Sequence, residues 1–196
     1  MYTTKTTLLL NVSNGDDVSW QDFYDNYRPL IISLASESGI PAADIDEIVQ
    51  LTMLAIFNNG KFAYQREKHG KFRSWCGGII RHKISDYFRS ADHPLPETPD
   101  HDTAAIPADF EKLYLSEYRK FMLNAAINEL KNSVTPEYFE AFQLCCLRNM
   151  ADKDAATLLG EKSNTVTVRK KRSLAALRKI IEQINLSDPE LDIEYL

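Results

Sequence analysis

ADKDAATLLGEKSNTVTVRKKRSLAALRK, residues 151–179, is the stretch on which the fold of this chain turns. Ala155, Ala156 and Leu159 share one helical face, and Ala156 is small enough for a second helix to cross close by. Gly160 can take the positive φ that ends a helix, and Ser163 can accept from the free amides that begin the next. Two helices joined by so short a turn predict a helix-turn-helix, whose second helix enters the major groove of duplex DNA. On that second helix Ser163, Asn164, Thr165, Thr167 and Arg169 can bond base edges or phosphates, with Lys170, Lys171 and Arg172 following. Leu174, Leu177, Ile181 and Ile184 then recur at helical intervals, so the back half is expected to pack while the front half reaches outward.

Charge sharpens the expectation. From Lys162 to Ile181 there are seven Lys or Arg and no Asp or Glu, although the whole chain of 196 residues carries a formal charge of -5. A cationic cluster on an acidic body points to a polyanion. Hydrophobic content of 44% is ordinary for a folded protein, and the length suits one domain or two small ones. Cys76, Cys145 and Cys146 make a poor disulfide framework, which fits a reducing compartment. The opening residues carry too brief an apolar run for a signal peptide, and no segment approaches membrane-spanning length, so a cytoplasmic protein without membrane insertion is expected.

Phe23, Tyr27, Leu30, Ile31 and Leu34 follow a helical period, with Pro29 expected to bend or interrupt the helix. The next helix, about 42–57, has Ile45, Ile48, Val49 and Thr52 on one stripe, with Leu51, Met53, Leu54, Ile56 and Phe57 around the rest. That apolar surplus, rimmed by Asp46, Glu47 and Gln50, predicts a face for a partner protein. After Asn58, Asn59 and Gly60, the segment 61–76 interleaves Phe62, Tyr64, Phe72 and Trp75 with Lys61, Arg66, Lys68, Lys71 and Arg73. Aromatic faces stack on unpaired bases while cations track phosphates, a combination suited to single-stranded nucleic acid. The helix from Phe72 to Ser90 adds Arg81, His82, Lys83 and Arg89 on its polar side, and Gly77 with Gly78 in its middle mark a kink or a close approach of DNA.

Residues 91–109 hold four prolines and five acidic residues without helical period, and read as an extended, self-repelling linker. Helices over 110–130 and from Thr135 or Pro136 to about Arg148 supply the scaffold that a bare two-helix motif needs. The whole predicts an all-α protein of two small helical domains, 17–90 and 110–185, with an acidic, frayed tail at 186–196.

With both basic regions in view, the chain resembles the short extracytoplasmic-function (ECF) group of the bacterial sigma-70 family of RNA polymerase sigma factors. FYDNYRPL at 23–30 looks like the start of their second conserved region, DEIVQ at 46–50 like the signature of their polymerase-binding helix, and FRSWCGGIIRHKISDYFRS at 72–90 like their Phe-Arg-x-Trp and Asp-Tyr-x-Arg elements. Gly160, Thr165, Val166 and Arg169 have the spacing of the fourth region. The resemblance implies a region 2 bundle and a region 4 helix-turn-helix. It implies that Asp46, Glu47, Val49, Gln50 and Met53 dock on the clamp of the largest subunit of core RNA polymerase. Lys61, Phe62, Tyr64, Lys71, Arg73, Trp75, Arg81, His82 and Lys83 would open and hold the promoter -10 element on its non-template strand. Ser163, Asn164, Thr165, Thr167, Arg169, Lys170, Lys171 and Arg172 would read the -35 element as duplex. It also suggests an anti-sigma partner, and it places Lys170 where an aliphatic residue is usual, so its stem would run along the core.

Two other classes compete. A stand-alone helix-turn-helix regulator accounts for 151–179 but leaves the aromatic-basic segment 61–75 without a task. An enzyme would need a constellation from His82 with Asp86, or His93 and His101 with Asp100 and Asp102, and neither has the spacing of a metal site. No phosphate-cradling glycine loop or nucleophile motif is present, so no catalytic residue, metal or cofactor is expected.

Overall fold

The computed structural model describes residues 17–58, 61–62, 64–90 and 109–194. The linker expected at 91–109 lies outside them apart from Asp109. The all-α expectation holds: the described helices are α1 (Asp17–Glu37), α2 (Ile45–Ile56), α3 (Arg66–His69), α4 (Phe72–Arg89), α5 (Phe110–Ser133), α6 (Pro136–Phe142), α7 (Asp152–Leu159) and α8 (Ser163–Ser187), with a π-helical turn at Gln143–Leu147. One small exception is an antiparallel pair, β1 (Phe57–Asn58) with β2 (Lys61–Phe62), in the register Phe57 opposite Phe62. Asn59-Gly60 between them is a strong hairpin signal in the sequence.

Contacts divide the chain into two units between Tyr118 and Arg119, within α5 and later than the start at 110 expected for the second domain. In the first unit, α1 runs uninterrupted through Pro29, whose ring is exposed. The helix ends at Gly39, φ 87°, where the Ile40 amide donates to the Ala35 carbonyl at 3.1 Å. Phe23, Tyr27, Ile31 and Leu34 on α1 meet Ile48, Val49, Met53 and Ile56 on α2 and Ile80 and Ile84 on α4 in one buried core. Asp44 does not cap α2; its carboxylate accepts from the Tyr87 hydroxyl at 2.6 Å and so ties the start of α2 to α4. Burial, then this carboxylate, push the Tyr87 phenol up to about 12.

The first turns of α5 complete this unit with buried Phe110, Tyr114 and Tyr118 at four-residue spacing. The Tyr114 hydroxyl donates to the Arg73 carbonyl at 2.8 Å, and its ring lies so close to α4 that a Cβ on Gly77 would stand 2.8 Å from it. Gly77 therefore serves a helix-helix approach inside the protein, rather than the kink or DNA approach expected for it. Gly78 has nothing within 4 Å of the corresponding position.

In the second unit, Ala141, Leu144, Cys145, Ala155, Ala156 and Val166 form a core under the helix-turn-helix. The π-turn closes with the Arg148 amide on the Gln143 carbonyl at 3.0 Å, and Asn149, φ 52°, reverses the chain toward α7. The tail is not frayed as far as it is described. Leu191 and Ile193 are buried, Asn185 bonds both the amide and the carbonyl of Ile193 at 3.0 and 3.1 Å, and Arg119 donates to the Leu191 carbonyl. Two apolar residues suffice to fold back an otherwise acidic segment.

Both tryptophans, Trp20 and Trp75, lie in the first unit, so their fluorescence during urea unfolding of the full chain reports on that unit. Gly77→Ala is expected to destabilise it by about 1–3 kcal/mol, because the buried Tyr114 ring is held at its hydroxyl and cannot swing aside. Gly78→Ala should stabilise it by up to about 1 kcal/mol. Equal midpoints for the two variants would mean the ring contact yields freely.

Candidate nucleic-acid interface

Gly160, φ 65°, ends α7, with the Glu161 amide on the Ala156 carbonyl at 2.9 Å. The expected cap shifts by one residue: Lys162 occupies the extended N-cap position of α8, and Ser163 is the first helical residue without a capping bond. Small Ala155 and Ala156 let α7 cross close to Val166 of α8.

A carboxylate clamp fixes this crossing. Asp152, in the first turn of α7, takes the Lys170 ammonium at 2.5 Å on one oxygen and the Thr167 hydroxyl at 2.6 Å on the other. Hydrogen bonds from Lys170 and Thr167 hold the Asp152 carboxyl below its usual range, and the same pairing raises the Lys170 ammonium. Arg169 is likewise turned to protein: its guanidinium meets Glu161 at 3.1 Å, with only 19% of the side chain exposed. Thus three of the residues expected to reach the -35 duplex, Thr167, Arg169 and Lys170, are engaged by carboxylates of their own domain. Asn164, Lys171 and Arg172 are exposed; Arg172 also donates to the Tyr138 hydroxyl at 3.0 Å. Ser163 and Thr165 are half-buried. Val168, which carried no role in the sequence reading, is exposed beside Lys171 and Arg172.

In the first unit, aromatic rings line up around the start of α4. Trp20 packs on Phe57 at 4.6 Å, and Tyr64 stands edge-on to Phe72 at 5.0 Å and against Trp75 at 5.2 Å. Tyr64 was expected as a ring in a polar loop; instead its hydroxyl donates to the Gly70 carbonyl at 2.6 Å and the residue is half-buried, as is Trp75. Phe72 is core. The side chains of Lys61 and Phe62 lie outside the described ones. Lys71 is exposed and Arg73 half-buried. Along α4, Arg81 meets Glu111 at 3.5 Å, while His82 and Lys83 both lie 3.8 Å from Asp86.

On α2 the partition is sharp. Val49 and Met53, expected on the polymerase face, are 1% and 3% exposed and belong to the core, because they share a stripe with Ile45, Ile48, Thr52 and Ile56. The outward stripe is Glu47, Gln50, Leu51 and Leu54, with Leu51 40% and Leu54 66% exposed. Their spacing of three, one and three residues marks one helical face and was available in the sequence. Asp46 pairs with Arg28 at 2.8 Å on the surface.

Residues 23–93, which include the α2 stripe and the aromatic cluster apart from Trp20, match sigma-70 region 2. The chain is 23% identical over 166 residues to ECF RNA polymerase sigma factor SigE of Mycolicibacterium smegmatis, covering 82% of this chain and 60% of that one. It is 24% identical over 177 residues to RNA polymerase sigma factor NccH of Alcaligenes xylosoxydans xylosoxydans, covering 89% and 93%. Residues 23–93 thus carry a sigma-70 region 2 segment, in a chain similar to RNA polymerase sigma factors over most of its length. One of these relatives, SigE, is a sigma factor of the ECF group. A shorter match, 25% over 84 residues, joins the chain to RNA polymerase sigma factor SigI4 of Acetivibrio thermocellus, covering 42% of this chain and 30% of the relative. The chain thus spans less than two thirds of the length of SigE and SigI4. No described helix of the chain is long and apolar enough to cross a membrane.

The Asp152 clamp predicts a pH signature. Asp152→Asn should lower the stability of the second unit by about 1–2 kcal/mol at neutral pH, read by urea unfolding followed through helical circular dichroism. The folded Asp152 carboxyl titrates below the unfolded value near 3.9, so its contribution is complete above that value and fades as pH falls through the folded one. The folded Lys170 ammonium titrates above its unfolded value near 10.4, so its contribution is lost only as pH rises through that higher value. The difference between wild type and variant should stay flat from about pH 5 to 9 and close at both extremes.

Proposed function

We propose that the chain is the promoter-recognising subunit of a cytoplasmic RNA polymerase holoenzyme and acts without catalytic chemistry of its own. The reading rests above all on a pairing within one chain. A region 2 unit presents a mixed acidic and apolar stripe to a partner protein, and a helix-turn-helix presents a cationic stripe to duplex DNA. On this reading Glu47, Gln50, Leu51 and Leu54 dock on the clamp of the largest core subunit, with Asp46 at the rim. Exposed leucines next to charged residues suit a protein interface, where a small apolar centre supplies most of the affinity.

The outer stripe of α8, Asn164 with Lys171 and Arg172, takes the -35 element in the major groove. Lys171 and Arg172 neutralise phosphates, and Asn164 can bond an adenine edge. The aromatic cluster at Tyr64 and Trp75, with Lys71 and Arg73, holds unstacked bases of the -10 non-template strand. Each base stacked on an aromatic ring is worth about 1–3 kcal/mol, comparable with the few kcal/mol that unstacking costs, so capture of one or two bases tips the duplex open.

The direct test is transcription from genomic DNA by core polymerase with and without this chain, with the start sites sequenced. Defined starts that require the added chain support the reading; identical products in both reactions refute it. At the proposed polymerase face, Leu51→Ser combined with Leu54→Ser is expected to weaken core binding roughly tenfold without moving the unfolding midpoint, since both side chains are exposed. Binding as tight as wild type would remove this face from the interface.

A further inference from the structure

Val168 stands out on the outer surface of α8. It is 39% exposed, one helical turn from Asn164 and from Lys171 and Arg172, all exposed. The packing of the helix does not need it, since Val166, Ser173, Leu177, Ile180, Ile181 and Ile184 supply the buried face. Its neighbours one turn away on its own helix are Asn164, Thr165, Lys171 and Arg172, none of them apolar residues. Thr167, Arg169 and Lys170, which flank it in sequence, are turned away toward Asp152 and Glu161. An unneeded valine is left at the centre of a stripe that is otherwise polar and positively charged.

The one apolar group that a standard base pair offers in the major groove is the C5 methyl of thymine. The amide and cationic side chains of the stripe bond polar edges and phosphates, and they are blind to that methyl. We propose that Val168 is a specificity residue that recognises a thymine methyl in the duplex bound by α8. The inference rests on the reading of α8 as the duplex reader. It commits Asn164, Lys171 and Arg172 to anchoring the helix, and Val168 to telling thymine from the bases that lack a methyl group.

Replacing thymine by uracil deletes this methyl and leaves every hydrogen-bonding edge intact. Holoenzyme assembled from the full chain and core polymerase is used to select binding sites from randomised duplexes, and the upstream protected segment is then resynthesised with each dT changed singly to dU. One such change is expected to weaken binding by wild type about three- to fivefold, the worth of one buried methyl. Val168→Ala should bind the dT and dU duplexes equally, whereas Val168→Ile, which keeps the apolar surface, should retain the preference. The inference is overturned if the protected segment contains no thymine, or if Val168→Ala keeps the full dT to dU difference. Lys171→Ala separates this result from failure of the underlying reading. It should weaken all duplexes alike and reduce the salt dependence by about one counterion. Absence of any upstream protection would overturn both the inference and the assignment of α8 as reader.

Discussion

The ion pair of Asp152 with Lys170, joined by Thr167, is the constraint on which the exposed face at the start of α8 depends. Where α7 crosses α8 the fully buried side chains are small, Ala155 and Ala156 against Val166, with Leu159 partly buried at their edge. Small contacts at the crossing itself give modest hydrophobic stabilisation, while the buried face farther along α8, Leu177, Ile181 and Ile184, sets the rotation of the helix about its axis. Two charge-assisted hydrogen bonds to one carboxylate supply what the alanines lack, because their geometry is directional. With Thr167 and Lys170 drawn inward, helical periodicity carries Asn164, Val168 and Lys171 outward. The same lysine that would have been counted as a phosphate contact is thus part of what aims the others.

A comparable division governs α2. Its twelve residues carry more apolar side chains than one face can hold. The fold resolves the surplus by burying Val49 and Met53 against α1 and α4 and leaving Leu51 and Leu54 in solvent. An exposed leucine pair costs solubility and adds nothing to the stability of the free protein, so its retention agrees with a surface completed by a partner. Around the start of α4 the compromise runs the other way. Tyr64 and Trp75 are held by their ring contact, and Tyr64 also by its bond to the Gly70 carbonyl, which limits their motion. Preorganised aromatic faces lose less entropy on stacking than side chains in a free loop would.

Much of this was legible in the residues. Helical periods located the elements to within a few positions, and the positive φ expected at Gly160 is present. The one-signed charge from Lys162 to Ile181 and the aromatic-basic segment leading into α4 pointed to nucleic acid from the sequence alone. Where the reading failed, the cause was a partner distant in sequence. Gly77 looked like a weak point until Tyr114, on another helix, occupied the space where its Cβ would be. Met53 looked like a docking residue because a twelve-residue helix with two apolar stripes does not announce which stripe faces inward. Leu191 and Ile193 looked like part of a loose acidic tail because two apolar residues carry no period.

Local pattern alone therefore determined the all-helical class, the helix-turn-helix and the concentration of positive charge, since each arises from interactions between residues a few positions apart. Only the tertiary structure decided which side chains on those helices are free to meet a partner. Lysines and arginines are long enough to reach either outward or back to an acid on a neighbouring helix. That choice depends on where Asp152 and Glu161 come to rest, which the spacing of residues along α8 does not encode.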